Sequence, residues 1–249
     1  MSRKARSFVV AMLGLAGTAP ALLGQTRAMP GMAMDTSDRA SAAAMESMAM
    51  PRSGDPHMHM TAMRPPNAAD SARAAGLVTT LRAALQKYRD VHVAEADGYR
   101  IFAPNVPQHV YHYTNRQNGL RAAFGFDPDK PTSLLYKKTS SGGWELTGAM
   151  YTGRPALTED QLNERVPLSV ARWHEHVNWC LPPAGHPERW TDTQNGKPLF
   201  GPKSPIATQE ACDAAGGRFF PRIFGWMVHA DVFASNDPKV IWGDEDHEH

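Results

Sequence analysis

With 26 Lys and Arg against 25 Asp and Glu in 249 residues, the chain has a formal charge of +1 and no basic block beyond its extreme N-terminus. That balance removes the electrostatic case for nucleic acid as a partner. Twenty glycines and 20 prolines argue against an all-helical bundle, while a 42% hydrophobic content suffices for a core.

Residues 1–28 read as an export signal. Arg3, Lys4 and Arg6 form a positive n-region, Phe8 to Ala16 is apolar but too short to span a bilayer, and small residues follow. Cleavage after Ala21 or Ala28 fits this pattern, and no cysteine sits near either site to direct lipoprotein processing. No later apolar run is long enough to span. The expected address is therefore the periplasm or the exterior, with no membrane span once the signal is removed.

Residues 29–66 hold nine of the 13 methionines, ending in His57-Met58-His59-Met60. The remainder is mostly Ala, Ser, Pro, Gly and Asp, a composition expected to stay disordered because it buries too little apolar surface to fold. Thioethers are soft ligands suited to Cu(I), and imidazoles suit Cu(II) or zinc. The segment is similar in composition to the Met-rich stretches of periplasmic copper-handling proteins, and reads equally as a linker whose methionines scavenge oxidants.

From Asp70 to Asp97 the pattern is helical: Leu77, Leu81, Leu85 and Tyr88 make one stripe, Asp70 or Ser71 caps the start and Gly98 ends it. His92 with Glu95 one turn on reads as a solvated pair. Beyond the helix come strands and turns. Gln108 to Tyr113 alternates, with His112 opposite His109, Tyr111 and Tyr113. Asp127 to Pro131 is a turn, and the runs Ser133–Lys137 and Trp144–Tyr151, separated by Ser140 to Gly143, read as a hairpin.

The order Ala94-x-Ala96-x-Gly98-Tyr99, His112-Tyr113-Thr114-Asn115, Asp127-Pro128 with Lys130-Pro131, Leu134-Leu135-Tyr136, and Gly143 through Leu146, Gly148 and Tyr151 resembles a family of exported bacterial proteins of unassigned function. The resemblance covers roughly residues 85–151. It implies a compact exported domain, draws attention to His112 and Asn115, and carries no activity with it.

Thr158-Glu159-Asp160-Gln161 has the form of a capping box opening a short helix to Arg165. Pro167 ends it, and Arg172 to Cys180 follows, with two tryptophans, Glu175 and the pair His174 and His176. Bounded by Pro167 and Pro182-Pro183, this stretch is expected to be a strand. Alternation then puts His174, His176 and Asn178 on one face, and Trp173, Glu175, Val177 and Trp179 on the other. Residues 184–210 lack a clear period and are expected to be a long loop covering a site. Arg218 to Phe233 reads as one buried aromatic strand, with His229 and Asp231 on one face, and residues 244–249 as an acidic tail. Cys180 and Cys212 are the only cysteines; an oxidising address favours a disulfide, worth roughly 3 kcal/mol in the chain-entropy picture, over a thiolate ligand at Cys180.

The sum is one α+β domain over residues 67–243, a long N-terminal helix packed on a mainly antiparallel sheet or small barrel. Zinc and copper sites need three or four N, O or S ligands. The candidates are His174, His176, His229 and His112 in the domain, and His57, Met58, His59 and Met60 in the tail. Glu175, Asp231 and Asn115 are candidate acceptors for the ligands' other ring nitrogens. Taken singly, each histidine also reads as a half-buried polar tip satisfied by backbone carbonyls. The expected function is an exported protein that binds copper or zinc. The alternatives are a metal-dependent hydrolase or oxidoreductase, with His229 and Asp231 in a pocket under 184–210, and a non-catalytic interaction domain. No Ser nucleophile elbow, phosphate loop or dinucleotide fingerprint occurs.

Overall fold

The computed structural model describes residues 54–102, 104 and 109–243. Residues 1–28, expected to be an export signal, lie outside the described residues, as do residues 29–53 and 244–249. The fold is α+β with a mainly antiparallel sheet. Among the described residues no helix is long and apolar enough to cross a membrane.

The first correction falls at the boundary of the domain. Residues 54–66, expected to be disordered, are ordered, and Met58–Met60 forms strand β1 at a sheet edge. Helix α1, Ala68–Leu85, starts three residues earlier than expected at its nearer cap: Asn67 accepts from the Asp70 N–H, leaving Asp70 in the first turn, where a carboxylate complements the helix dipole. Ala74, Val78, Leu81 and Leu85 form its buried stripe. The helix then tightens into a 3-10 turn, Gln86–Arg89, and restarts as α2, Val91–Ala96, capped by Asp90. A cause is at hand: the Tyr136 hydroxyl donates to the carbonyl of buried Tyr88, engaging a carbonyl that a continuous helix would use internally. His92 lies outside the core, its side chain 84% exposed and 3.3 Å from Glu95.

The other strands are β2 (Arg100–Ile101), β3 (Tyr111–Thr114), β4 (Ser133–Lys138), β5 (Trp144–Gly153), β6 (His174–Leu181), β7 (Thr193–Gln194), β8 (Lys197–Pro198), β9 (Arg218–Arg222) and β10 (Trp226–Ala230). The main sheet runs β1-β6-β10-β5-β4-β3-β2, with β9 also paired to β6. The expected hairpin is β4 and β5, and the expected capping box opens helix α4, Glu159–Arg165; α3 is Arg116–Ala122. The single aromatic strand expected from Arg218 is two strands broken at Ile223 to Gly225. Gly225 permits the turn, since a Cβ there would lie 2.1 Å from the Gly153 carbonyl oxygen.

The two faces of the sheet differ in chemistry. Tyr113, Leu134, Tyr136, Ala149, Tyr151, Trp173, Trp226 and Val228 join the α1 stripe in one apolar core. The opposite face carries His112, Leu135, Met150, Met227, His229, His174 and His176, with Phe102, Val110 and Phe224 packed on Leu135, Met150 and Met227. At one end of β6 the Cys180–Cys212 disulfide anchors helix α5, Gln209–Ala214, in a satellite core with Phe200 and Ile206. Gly217 packs on it so closely that a Cβ would fall 2.5 Å from Cys180 Sγ.

Candidate metal-binding face

The strand reading of Arg172 to Cys180 gives β6, and its alternation holds only for the first half. His174 and His176 share a face, both within 3% exposure, while Glu175 turns to the other side. At Asn178 the backbone enters the left-handed region (φ 57), which Asn tolerates better than most residues. The pleat is interrupted there, so Trp179 packs edge-on to His176, ring centroids 5.3 Å apart, instead of facing away from it.

Sheet register gathers the remaining histidines. His112 pairs with Leu135, His229 with Met150, and His174 with Met227, and directly opposed residues share a face. Three strand spacings separate β3 from β10, about 14 Å in a flat sheet. The Nε2 atoms of His112 and His229 nevertheless lie 3.5 Å apart. The sheet therefore curls with this face inward, helped by the bulge between Leu135 and Tyr136. The imidazoles form a chain: His112 to His229 at 5.6 Å between centroids, His229 to His174 at 5.2 Å, and His174 to His176 at 5.7 Å.

Methionine lines the same face. Met60 and Met227 oppose His174 from its two sides, Met58 opposes His176, and Met150 opposes His229. Met150 and Met227 are the only methionines after residue 63 in the chain, and both point here. Isolated methionines read as core filler, so the sequence alone does not single these two out. The signal available was their place in the period of two, Met150 and His229 each falling on the face opposite the neighbouring core residues.

Burial sets the charge state. It pushes His112 and His176 down to about 3 and His229 down to about 4, and takes His174 well below its ordinary value. For His112, His174 and His176 the neighbouring histidines add to that shift, His229 foremost. All four are neutral near pH 7, the form that ligates metals. The buried Nε2 of His174 has no hydrogen-bond partner. Among the described residues no group of three or more His, Cys, Asp or Glu side chains is set to hold a metal ion as it stands. The rings pack edge-on or tilted instead of aiming at one point.

The structure brings six of the eight sequence candidates to this face: His112, His174, His176, His229, Met58 and Met60. His57 goes elsewhere: its two ring nitrogens contact the carbonyls of Asn178 (3.0 Å) and Ser204 (2.7 Å), which pins the start of β1. His59 lies on the opposite face, its ring against Trp226 and its Nδ1 3.5 Å from Glu175. Glu175 is turned from the imidazoles toward Arg222, 3.0 Å away, and burial raises its pKa against the pull of Arg222 and His59. Asn115 caps α3, accepting from the Gln117 and Asn118 amides, so its role is structural. Asp231 follows the end of β10, its N–H bonded to the Ile241 carbonyl. The 184–210 segment, expected to be a long structureless loop, carries structure of its own. It holds a 3-10 turn and the β7–β8 hairpin, packs Phe200 and Ile206 around the disulfide, and brings Trp190 to Trp179, one ring removed from His176.

No family model matches the chain, and no significant match occurs among curated proteins or solved structures.

Proposed function

We propose that the protein binds copper on the concave face of its sheet, in an oxidising compartment reached through its N-terminal export signal. The observation that carries this reading is a row of neutral imidazoles, each but His112 opposed by a methionine across the strand pair. Two nitrogens bound to one tetrahedral ion at about 2.0 Å stand roughly 3.3 Å from each other. The 3.5 Å separation of the His112 and His229 Nε2 atoms fits that spacing. His174, with its buried and unpartnered Nε2, supplies a third nitrogen after rotation of its ring. His112, His229 and His174 are thus the nitrogen ligands, with His176 adjoining them.

The thioethers favour copper over zinc. Sulfur of Met150 or Met227 is a poor ligand for zinc beside nitrogen and oxygen donors, whereas Cu(I) accepts mixed thioether and imidazole sets. An exported address and the Cys180–Cys212 disulfide agree with each other, since disulfides persist where thiols are not kept reduced. The disulfide also leaves no thiolate to compete for the ion.

Elemental analysis of the purified full chain after copper exposure and desalting tests the reading. One copper per chain is expected, falling to none in a His174→Ala/His229→Ala variant that keeps its disulfide and its far-ultraviolet spectrum. Equal copper in both proteins overturns it.

A further inference from the structure

We propose that Met58 and Met60 on β1 form a loading site for Cu(I), which receives the ion at the sheet edge and passes it to the histidines of β6 and β10. The inference rests on the copper reading and assigns the route by which that face is filled.

The first support is register. Met58 opposes His176 and Met60 opposes His174. Directly opposed side chains have Cβ atoms about 5 Å apart, so thioether and imidazole on one face reach a shared ion. His59, between them, opposes Glu175 on the other face, so the alternation that excludes His59 delivers both sulfurs to the same side.

The second is a gradient of accessibility. Met58 and Met60 are half-buried on the outermost strand, whereas Met227 and His174, the next positions inward, are 2% and 3% exposed. An aqueous ion reaches the edge thioethers before it reaches the interior. A soft cation suits that order, because thioethers bind Cu(I) and do not detain hard cations.

The third is that β1 is clamped. Val177 N–H donates to the His57 carbonyl (2.9 Å), Thr61 N–H to the Trp173 carbonyl (2.9 Å), and Trp173 N–H to Thr61 Oγ1 (3.0 Å). With the His57 ring held between two carbonyls, a three-residue edge strand is fixed at both ends. The two sulfurs therefore start from a set position.

The transfer is a ligand exchange. A Cu(I)–thioether bond breaks as a Cu(I)–imidazole bond forms; the copper stays Cu(I), and no electron or leaving group passes to the protein.

The test is stopped-flow transfer of Cu(I) from its coloured bicinchoninate complex to the full chain, using wild type, Met58→Leu/Met60→Leu and His174→Ala/His229→Ala. Leucine keeps the bulk and strand pairing of methionine without the sulfur. The leucine variant is expected to load at least about tenfold more slowly, in the range seen when a supporting residue of a metal site is lost. Its final stoichiometry and its thermal transition are expected to match wild type. Zinc uptake from a chromophoric chelator is expected to proceed at the same rate in the leucine variant and wild type, which a general distortion of β1 would not allow. Unchanged Cu(I) kinetics overturn the loading site while leaving the copper face intact. Lost stoichiometry in the leucine variant overturns it too, by making the sulfurs permanent ligands. Copper retained by the histidine variant removes the face itself and the route with it.

Discussion

The two faces of one sheet answer to different physical demands. The face under α1 is sealed by Leu134, Tyr136, Trp173 and Val228, each essentially without exposure, and its tyrosine hydroxyls find carbonyls: Tyr99 to Pro131, Tyr136 to Tyr88 and Tyr151 to Pro128. The other face buries imidazoles instead, against methionines and one another; the His174 Nε2 has no partner there, just as the indole Nε1 atoms of Trp173 and Trp226 have none on the first face. A buried polar atom left unsatisfied costs about 1–3 kcal/mol. The contrast lies in what each face encloses: apolar side chains, tyrosines and indoles on the first, and a set of neutral imidazole donors among methionines on the second.

Paired substitutions should separate the faces most widely. Trp173→Ala empties a fully buried indole site and should cost about 3–5 kcal/mol in urea unfolding of the metal-free protein. His174→Leu should leave that stability within about 1 kcal/mol of wild type or raise it, because it removes the unpartnered nitrogen. A large loss from His174→Leu would mean that the imidazole is a structural hydrogen-bonding group and the contrast is false.

Reduction of Cys180–Cys212 should lower stability by about 3 kcal/mol, since the bridge closes a loop across 32 positions. The damage should centre on the satellite core of Phe200 and Ile206, and hydrogen exchange should find β5 and β10 still protected.

Acid should act on the histidine face. His112 and His176 titrate near 3 and His229 near 4 in the folded chain, against about 6.5 when unfolded. Between those values the unfolded chain binds protons that the folded chain does not. Stability is thus complete above about pH 6.5 and falls as pH drops through the window, at up to about 1.4 kcal/mol per pH unit for each histidine. Chemical unfolding of the metal-free protein at pH 7 and pH 5 measures this, and a triple variant with leucine at 112, 176 and 229 should flatten the slope. The smallest effect is reserved for the solvated pair: His92→Ala should change stability by no more than about 0.5 kcal/mol.

Much of the fold was legible in residues whose physics is local. The stripe from Leu81 to Tyr88, the capping box at Thr158, the β4–β5 hairpin, and the run from His174 bounded by prolines all declare themselves through period or turn chemistry. The disulfide was expected from there being two cysteines and a sequence that reads as exported. What was missed depends on pairing. Nothing local to Met58–Met60 distinguishes it from the methionine-rich sequence before it, because a three-residue strand gains its order from β6. The break at Asn178 and the turn at Gly225 arise from close approach between distant segments. At the candidate site, His174 and His176 could be placed together by alternation alone. Their meeting with His229 and His112 required the order of the strands and the curl of the sheet, and the same register separates Met58 and Met60 from His59.

X-ray absorption at the copper edge on the loaded full chain reads out directly whether the imidazole face holds the ion. An imidazole nitrogen shell near 2.0 Å is expected, with multiple scattering from two or three rings that diminishes in the His174→Ala/His229→Ala variant, together with a thioether sulfur shell. A copper ion surrounded only by non-imidazole oxygen, or a spectrum unchanged by that variant, would contradict that expectation.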